Sequence, residues 1–194
     1  MAEIRFIDTT LRDGQQSLWA LNMKTGMMLA AAEQMDRAGF QAAEFFVTVM
    51  FRKLVREHKE NPWDWVRLGT KRFPKTRLRW HGGLKGGFEK VPMSLLRLMM
   101  ERVVGYGITL NRTSNCWNDY QSFKEELDGL RSLGMQTVVN LIYTVSPRHT
   151  DEYYAQKAAA AAAIKPYAVC FKDVGGLLTP ERARALIPLV LKNV

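Results

Sequence analysis

The sequence predicts an α/β fold of about six consecutive strand–helix units, arranged either as a TIM-type (β/α) barrel or as an open doubly wound sheet. Short runs of β-branched and aromatic residues alternate with stretches of helical period along the chain. Gly39, Gly107 and Gly134 stand where three of the helices should end. Strict alternation of this kind favours a parallel sheet with helices packed outside it.

Six strands are predicted, and 136–143 (QTVVNLIY) is the clearest because β-branched and aromatic residues fill it. The other predicted strands are 3–8, 42–47, 77–81, 108–112 and 167–172.

Helical periodicity and end signals predict the intervening helices, at 23–38, 50–59, 62–72, 93–106, 118–133, 150–164 and 180–192. Thr150 is a candidate N-cap before the alanine-rich helix. Thr179 is another, with Pro180 at the first helical position. Pro188 should kink the last helix or end it early.

The composition is that of a globular protein, with 47% hydrophobic and 24% charged residues in 194. No apolar run reaches the roughly 18 residues of a membrane span, and the N-terminus has no signal-peptide pattern. Cys116 and Cys170 lack metal-ligand spacing. We therefore expect a cytoplasmic protein with free thiols.

The formal net charge of +9 comes from 28 Lys and Arg against 19 Asp and Glu. Such a balance is typical of nucleic-acid binders or proteins with anionic ligands, but also of a merely basic surface. The basic residues are spread along the chain, with one modest cluster at 71–79, and nucleic-acid-binding motifs are not found. We therefore expect a basic surface and no nucleic-acid partner.

In both candidate architectures the chemistry lies at the carboxyl ends of the strands. The loop after the first strand, Asp8–Ser17 (DTTLRDGQQS), offers two carboxylates, an arginine and two amides. These could ligate a hard metal and hold an anion, or they could form a polar turn with local caps.

Lys172 ends the sixth strand and is followed by Asp173. A desolvated lysine there could act as a nucleophile, or it could simply pair with Asp173. His81 ends the third strand as a candidate base or replacement ligand, or as a hydrogen-bonded structural histidine.

Asp8–Ser17 resembles the first-strand motif of the DRE-TIM metallolyase (HMG-CoA lyase-like) superfamily. Three further segments, 60–63 (ENPW), 143–150 (YTVSPRHT) and 170–178 (CFKDVGGLL), resemble the carboxyltransferase domain of pyruvate carboxylase and the oxaloacetate decarboxylase α-subunit. These similarities run in order along the chain, and they favour the TIM-type barrel, incomplete, with about six of eight βα units.

The resemblance implies roles for particular residues. Asp13 would bind a divalent metal (Zn, Mn, Co or Mg), bridged by a carbamylated Lys172, which would also be catalytic. Arg12 and Gln16 would be catalytic and hold the keto-acid and its enolate oxygen, and Tyr143 would lie over the same substrate site. His81 would be a further substrate-binding residue, because it stands near the place where the family has an arginine.

The implied function is carboxyl transfer to, or decarboxylation of, a keto-acid or related carboxylic acid through a metal-stabilised enolate. The sequence has no Ala-Met-Lys-Met motif, so biotin would arrive on a separate carrier.

The family's His-x-His metal motif on strand seven does not occur in residues 1–194. We therefore expect a single barrel-like domain over 1–194, truncated or completed by another segment or chain, and an oligomer. The alternative is a non-catalytic or half-site barrel subunit that needs a partner chain carrying the missing strands.

Overall fold

The computed structural model describes residues 3–82 and 92–194. Its strands are β1 (Ile7–Asp8), β2 (Ala42–Val47), β3 (Arg77–His81), β4 (Leu110–Thr113), β5 (Gln136–Tyr143) and β6 (Ala168–Asp173). Its α-helices are α1 (Gln15–Trp19), α2 (Thr25–Arg37), α3 (Thr48–Lys53), α4 (Pro62–Gly69), α5 (Met93–Gly105), α6 (Lys124–Ser132), α7 (Asp151–Ala163) and α8 (Pro180–Lys192). The predicted alternation of strands and helices is confirmed.

The strands follow one another in the sheet in chain order, from β1 to β6. The pairs β1–β2, β2–β3 and β5–β6 are parallel. Parallel neighbours place their carboxyl ends at the same edge, so the loops that follow them gather polar side chains there.

The chain divides into two compact units, each with its own packing. Among the residues that the structure describes, unit 1 contains 3–82, Met93–Asn111 and Leu133–Met135. Unit 2 contains Arg112–Ser132 and Gln136–Val194 among the described residues.

The core of unit 1 is aromatic and is arranged around a β-bulge in β2. Phe45 has no opposite residue in β3, because the register passes from the pair Glu44–Arg79 to the pair Phe46–Trp80. The indole Nε1 of Trp65 donates a hydrogen bond to the Phe45 carbonyl at 3.2 Å, and the two rings stack with centroids 4.2 Å apart. The bulge is therefore held by a side chain of α4.

The core of unit 2 lies between β5, β6 and the helices α7 and α8. Leu141, Tyr154, Ala158 and Leu186 are completely buried in this cluster. Small alanines on α7 allow close packing, which accounts for the alanine-rich sequence of that helix.

Both predicted N-caps in this unit are confirmed. Thr150 Oγ1 accepts a hydrogen bond from the Tyr153 N–H at 3.3 Å, and Thr179 Oγ1 accepts one from the Arg182 N–H at 3.2 Å.

The predicted bounds of the last helix, 180–192, are confirmed by α8. The helix does not end early at Pro188, because Leu186 and Val190 on either side of the proline are buried in the core. Another predicted helix differs from the structure. The predicted helix over 118–133 becomes a 3₁₀ turn (Gln121–Phe123) followed by α6, because Asn118 has a left-handed backbone with φ of 51°.

The segments flanking β2 also differ from the prediction. The first strand is reduced to Ile7–Asp8, since β1 stands first in the sheet and pairs only with β2 among the described strands. The helix predicted over 50–59 begins at Thr48 and ends in a π-helical turn (Leu54–His58), which Lys59 terminates with φ of 57°.

Gly69 is required by the packing around the bulge. A Cβ at this position would lie 2.4 Å from Phe45 Cζ and 2.7 Å from Trp65 Cζ3. We expect Gly69→Ala to lower the free energy of unfolding by about 2 kcal/mol, a typical cost of overpacking. Gly129→Ala in α6 is the control: it meets no atom within 4 Å and should raise stability by about 0.5–1 kcal/mol. Urea denaturation of the two variants measures both values, and equal effects would contradict the packing argument.

Asp36 ties the end of α2 to the segment before β3, since its Oδ1 accepts hydrogen bonds from the N–H groups of Thr76 at 2.8 Å and Lys75 at 3.1 Å. Burial opposes ionisation of Asp36, but the hydrogen bonds from Thr76 and Lys75 outweigh it and lower the pKa of this carboxyl below 3.8. Because the folded pKa lies below the unfolded one, the stabilisation is present above pH 3.8 and is lost as the pH falls through the folded pKa.

We expect Asp36→Ala to lower the free energy of unfolding by about 1–3 kcal/mol at pH 7, since the buried N–H of Thr76 and the partly buried N–H of Lys75 lose their acceptor. The difference from the unsubstituted protein should shrink as the pH is lowered below 3.8 and through the folded pKa of Asp36. Denaturation midpoints across this pH range provide the measurement, and Glu101→Ala on the exposed face of α5 is the control. A pH-independent difference would refute the linkage.

Candidate active site

A buried ion cluster in unit 1 joins the turn that follows β1 to the middle of β2 and β3. The Glu44 side chain is completely buried and accepts hydrogen bonds from both Nε and Nη2 of Arg12, the Nε bond being 2.8 Å long. Arg79 Nη2 lies 2.9 Å from the other carboxylate oxygen of Glu44. Two buried guanidinium groups therefore share one buried carboxylate.

The backbone explains how the three residues meet. Arg12 lies on a π-helical turn (Thr10–Gly14) that follows β1, and unusual helical turns of this kind often occur at functional sites. Glu44 and Arg79 are register partners across the parallel pair β2–β3, so their side chains leave the sheet on the same face. The turn then carries the Arg12 guanidinium over that pair.

Two more titratable residues border the cluster. Asp13 accepts a hydrogen bond from Arg12 Nη1 at 2.6 Å, and its side chain is 50% exposed. His81 Nδ1 lies 3.8 Å from Glu44 Oε1, at the end of β3. Unit 1 thus brings together three predicted site residues, Arg12, Asp13 and His81.

Arg12 retains hydrogen-bonding capacity in this arrangement. Its guanidinium has five N–H donors, of which three are used by the bonds from Nε and Nη2 to Glu44 and from Nη1 to Asp13. Among the described residues, one donor thus remains on each terminal nitrogen, which suits an oxyanion or a carboxylate.

The two neighbouring glutamines of α1 differ in their surroundings. Gln15 is 2% exposed, and its Nε2 donates to the Leu11 carbonyl at 2.6 Å, which makes it part of the core. The Oε1 atom of Gln16 is buried and has no hydrogen-bond partner among the residues that the structure describes. Gln16 therefore keeps a polar group available for a ligand.

The remaining predicted site residues, Tyr143 and Lys172, belong to unit 2. Tyr143 is only 4% exposed, and its ring centroid lies 5.5 Å from those of both Tyr154 and Phe171. Tyr143 is thus a member of the hydrophobic core of this unit.

Lys172 is the register partner of Ile142 and is partly buried. Its neighbour Phe171 packs against the core cluster, so Lys172 leaves the strand on the opposite face. The next residue, Asp173, accepts hydrogen bonds from the N–H groups of Leu178 at 2.8 Å and Leu177 at 3.0 Å, which lower the pKa of its carboxyl. Asp173 therefore orders the loop that follows β6.

Among residues 3–82 and 92–194, no group of three or more His, Cys, Asp or Glu side chains could hold a metal ion. The predicted ligands Asp13 and Lys172 lie in different units, and their pairing in a metal site stays a prediction.

No described helix is long and apolar enough to cross a membrane.

Sequence reasoning missed Glu44, the residue that organises the cluster. Its signal was a single charged residue within an otherwise apolar strand, 42–47 (AAEFFV). A carboxylate in such a strand requires buried cationic partners.

The chain resembles several carboxylase subunits over almost its full length. It is 31% identical over 193 residues to a pyruvate carboxylase subunit of Methanocaldococcus jannaschii, covering 98% of this chain and 34% of that protein. It is 30% identical over 187 residues to the 2-oxoglutarate carboxylase large subunit of Hydrogenobacter thermophilus, covering 95% of this chain and 29% of that protein. The chain thus spans about a third of the length of these curated relatives, and no protein-family model matches it.

Solved structures show the same fold. The carboxyltransferase domain of Rhizobium etli pyruvate carboxylase, solved with oxamate and biotin, matches with a TM-score of 0.90 at 22% identity, over 99% of this chain and 34% of that one. The same domain solved with pyruvate and biocytin matches equally well, with a TM-score of 0.90 at 22% identity over 99% of this chain and 34% of that one. The prediction of an incomplete TIM-type barrel is confirmed.

Glu44 should be essential to the stability of this site. We expect Glu44→Gln to lower the free energy of unfolding by about 3–5 kcal/mol, because the buried guanidinium groups of Arg12 and Arg79 would lose the charged carboxylate that they share. Glu33→Gln is the matched control: Glu33 pairs with Arg37 at the surface and should contribute at most about 1 kcal/mol. Chemical denaturation distinguishes the two cases, and similar small effects would show that the buried cluster tolerates the loss of the Glu44 charge.

The fold and the relatives agree with the resemblance carried by the sequence motifs. The chain is a homologue of pyruvate carboxylase and 2-oxoglutarate carboxylase subunits, it has the fold of the pyruvate carboxylase carboxyltransferase domain, and it fits the DRE-TIM metallolyase superfamily.

Proposed function

We propose that this chain contributes the keto-acid site of a carboxyltransferase, in which a carboxyl group is transferred to or removed from the carbon next to a keto group. The observation that carries the proposal is the buried Arg12 guanidinium, fixed by Glu44 and Asp13 with two N–H donors remaining among the described contacts. A fixed cation of this kind can bind a carboxylate and stabilise an oxyanion.

The relatives support a keto-acid as the substrate. Two of them are named as carboxylases of pyruvate and of 2-oxoglutarate, which are both 2-keto-acids. The related carboxyltransferase domain has been solved with pyruvate and with oxamate. The substrate of this chain is therefore proposed as a small 2-keto-acid.

The chemistry assigns a task to each residue of the cluster. Carbon–carbon bond formation beside a keto group requires an enolate, whose negative charge develops on the former carbonyl oxygen. The remaining donors of Arg12 would stabilise that oxygen. Gln16 would orient the substrate through its side-chain amide, whose N–H groups can donate to the oxygens of a keto-acid. Glu44 would act as a positioning residue, because it fixes the direction of the guanidinium.

A divalent metal would supply Lewis-acid polarisation of the substrate carbonyl. Asp13 fits a ligand role, since its carboxylate is half exposed and only one of its oxygens takes part in the bond with Arg12. A carbamylated Lys172 would add a second ligand. Two protein ligands fall short of the three or four in well-formed metal sites, and the described residues offer no group of three. The residues that the structure describes therefore do not complete a metal site by themselves.

Biotin would reach the site on a separate carrier, as the related domain solved with biotin suggests.

Tyr143 is proposed to act indirectly, by supporting the end of β5 from the core. His81 is proposed to contact the substrate beside Glu44. The remaining barrel strands would come from a partner subunit or another segment. The non-catalytic alternative is not favoured, because the relatives are named as carboxylase and carboxyltransferase subunits.

The proposal predicts a large loss of activity when Arg12 is replaced by lysine. Arg12→Lys keeps the charge but removes the fork that binds Glu44 and an oxyanion at the same time. We expect the rate of keto-acid decarboxylation or carboxyl exchange to fall by about 10²–10³-fold, as for the removal of an oxyanion donor.

Arg97→Lys on the exposed surface of α5 is the matched control and should leave the rate unchanged. The rate is measured as pyruvate release from oxaloacetate in the presence of free biotin, with the chain in its assembly. Full activity of Arg12→Lys would rule out the proposed role of the guanidinium.

A further inference from the structure

An exposed tryptophan stands on an unusually well-fixed loop in unit 2. The Trp117 side chain is 75% exposed, although the loop between β4 and the 3₁₀ turn is short and highly hydrogen-bonded. Single exposed apolar residues are common on protein surfaces. The rigidity of the backbone around Trp117 is what distinguishes this one.

Asn115 fixes the loop from its first half. Its Oδ1 accepts hydrogen bonds from the N–H groups of Trp117 at 2.9 Å and Asp119 at 3.2 Å. Its Nδ2 donates to Ser122 Oγ at 3.2 Å. The backbone of Trp117 is therefore held directly by a side chain two residues earlier.

Asn118 fixes the loop from the other side and ties it to β5. Its Oδ1 accepts from the Ile142 N–H at 2.8 Å, and its Nδ2 donates to the Ile142 carbonyl at 3.0 Å. Asn118 is 2% exposed and has φ of 51°, a conformation that asparagine tolerates better than most residues. Its amide thus imitates a strand partner at the carboxyl end of β5.

The hydrogen bonds of Asn118 place the Trp117 loop at the same end of the strands as Lys172. Ile142, which Asn118 holds, is the register partner of Lys172 across the β5–β6 pair. Trp117 is therefore fixed at the carboxyl end of the same pair of strands from which Lys172 emerges. At this end of unit 2 the side chains of Cys116 and Trp117 are both exposed, and no described residue covers them.

The flat, mostly apolar indole of Trp117 suits some ligands of a carboxyltransferase better than others. A small anionic keto-acid offers little apolar surface to a tryptophan face, whereas a carried carboxyl donor with a ureido ring fused to a saturated thioether ring offers a planar amide face and apolar C–H and sulfur surface. A rigid aromatic side chain binds such a surface with little loss of conformational entropy. The related domain has been solved with biotin and with biocytin, both of which carry that ring system.

We propose that Trp117 is a binding residue for the ring system of the carboxyl-carrying cofactor and makes its apolar contact at the carboxyl end of β5 and β6. The proposal rests on the proposed function, in which such a carrier delivers the carboxyl group. It assigns the recognition of the donor to unit 2, separately from the binding of the keto-acid by Arg12 in unit 1.

Calorimetric titration of the purified chain with free biotin tests this assignment. We expect Trp117→Ala to weaken biotin binding about tenfold, in the range of an aromatic anchor residue, and Trp117→Phe to retain most of the affinity. Trp117→Leu should behave like Trp117→Ala if the flat ring matters. Tyr167→Ala is the matched control, because Tyr167 is an exposed aromatic residue of the same unit that precedes β6 at its opposite end.

Parallel titrations with pyruvate separate this proposal from the proposed function. Pyruvate binding should be unchanged by Trp117→Ala and lost with Arg12→Lys. Unchanged biotin affinity in Trp117→Ala, absence of biotin binding to the unsubstituted chain, or an equal loss of pyruvate binding would each overturn the role of Trp117. Failure of Arg12→Lys to alter pyruvate binding or turnover would overturn only the function assigned to unit 1.

Discussion

A single buried carboxylate governs the arrangement of unit 1. Glu44 has no exposed surface, and a lone ionised carboxylate in such a place would be strongly unfavourable. It becomes tolerable because Arg12 and Arg79 approach from two different elements of the chain. The first loop, the second strand and the third strand must therefore align to within a hydrogen-bond length before any of the three charges can be buried.

This constraint explains why the Arg12 guanidinium is suited to catalysis. A surface arginine must lose side-chain entropy each time it binds an anion, whereas Arg12 has lost it on folding. Ionic clusters of this type contribute little net stability compared with an apolar replacement, so their value lies in fixed geometry. The folded protein thus holds the Arg12 guanidinium in a fixed position, and the packing of the surrounding residues offsets the unfavourable free energy of doing so.

The secondary structure could largely be predicted from the sequence, since it depends on local signals. Strands 42–47, 77–81 and 136–143 have the predicted bounds, because their apolar runs are closed by polar residues or turns. Thr150 and Thr179 could be assigned as caps because an N-cap depends only on residues within one turn.

What escaped prediction depends on distant partners. Glu44 needs Arg12 and Arg79, and Asn118 needs Ile142, none of which are close in sequence. The predicted helix over 180–192 is correct, but its continuation past Pro188 depends on the buried neighbours Leu186 and Val190, which outweigh one missing hydrogen bond. The resemblance to a known superfamily supplied Arg12 and Asp13, but the role of Glu44 required the register of the parallel sheet.

The bulge at Phe45 has a consequence for any attempt to transplant this site into another protein. One additional residue reverses the alternation of β2, so that Phe45 and Phe46 both contact aromatic residues while Glu44 and Val47 stay paired with Arg79 and His81. The two halves of the strand are out of phase by one residue, and the Trp65 indole of α4 compensates for the displaced carbonyl. A graft that copies β2 without α4 would therefore keep Glu44 but would lose the hydrogen bond that holds the bulge, and the residues after Phe45 would be displaced. Strand β2 and helix α4 would have to be transferred together.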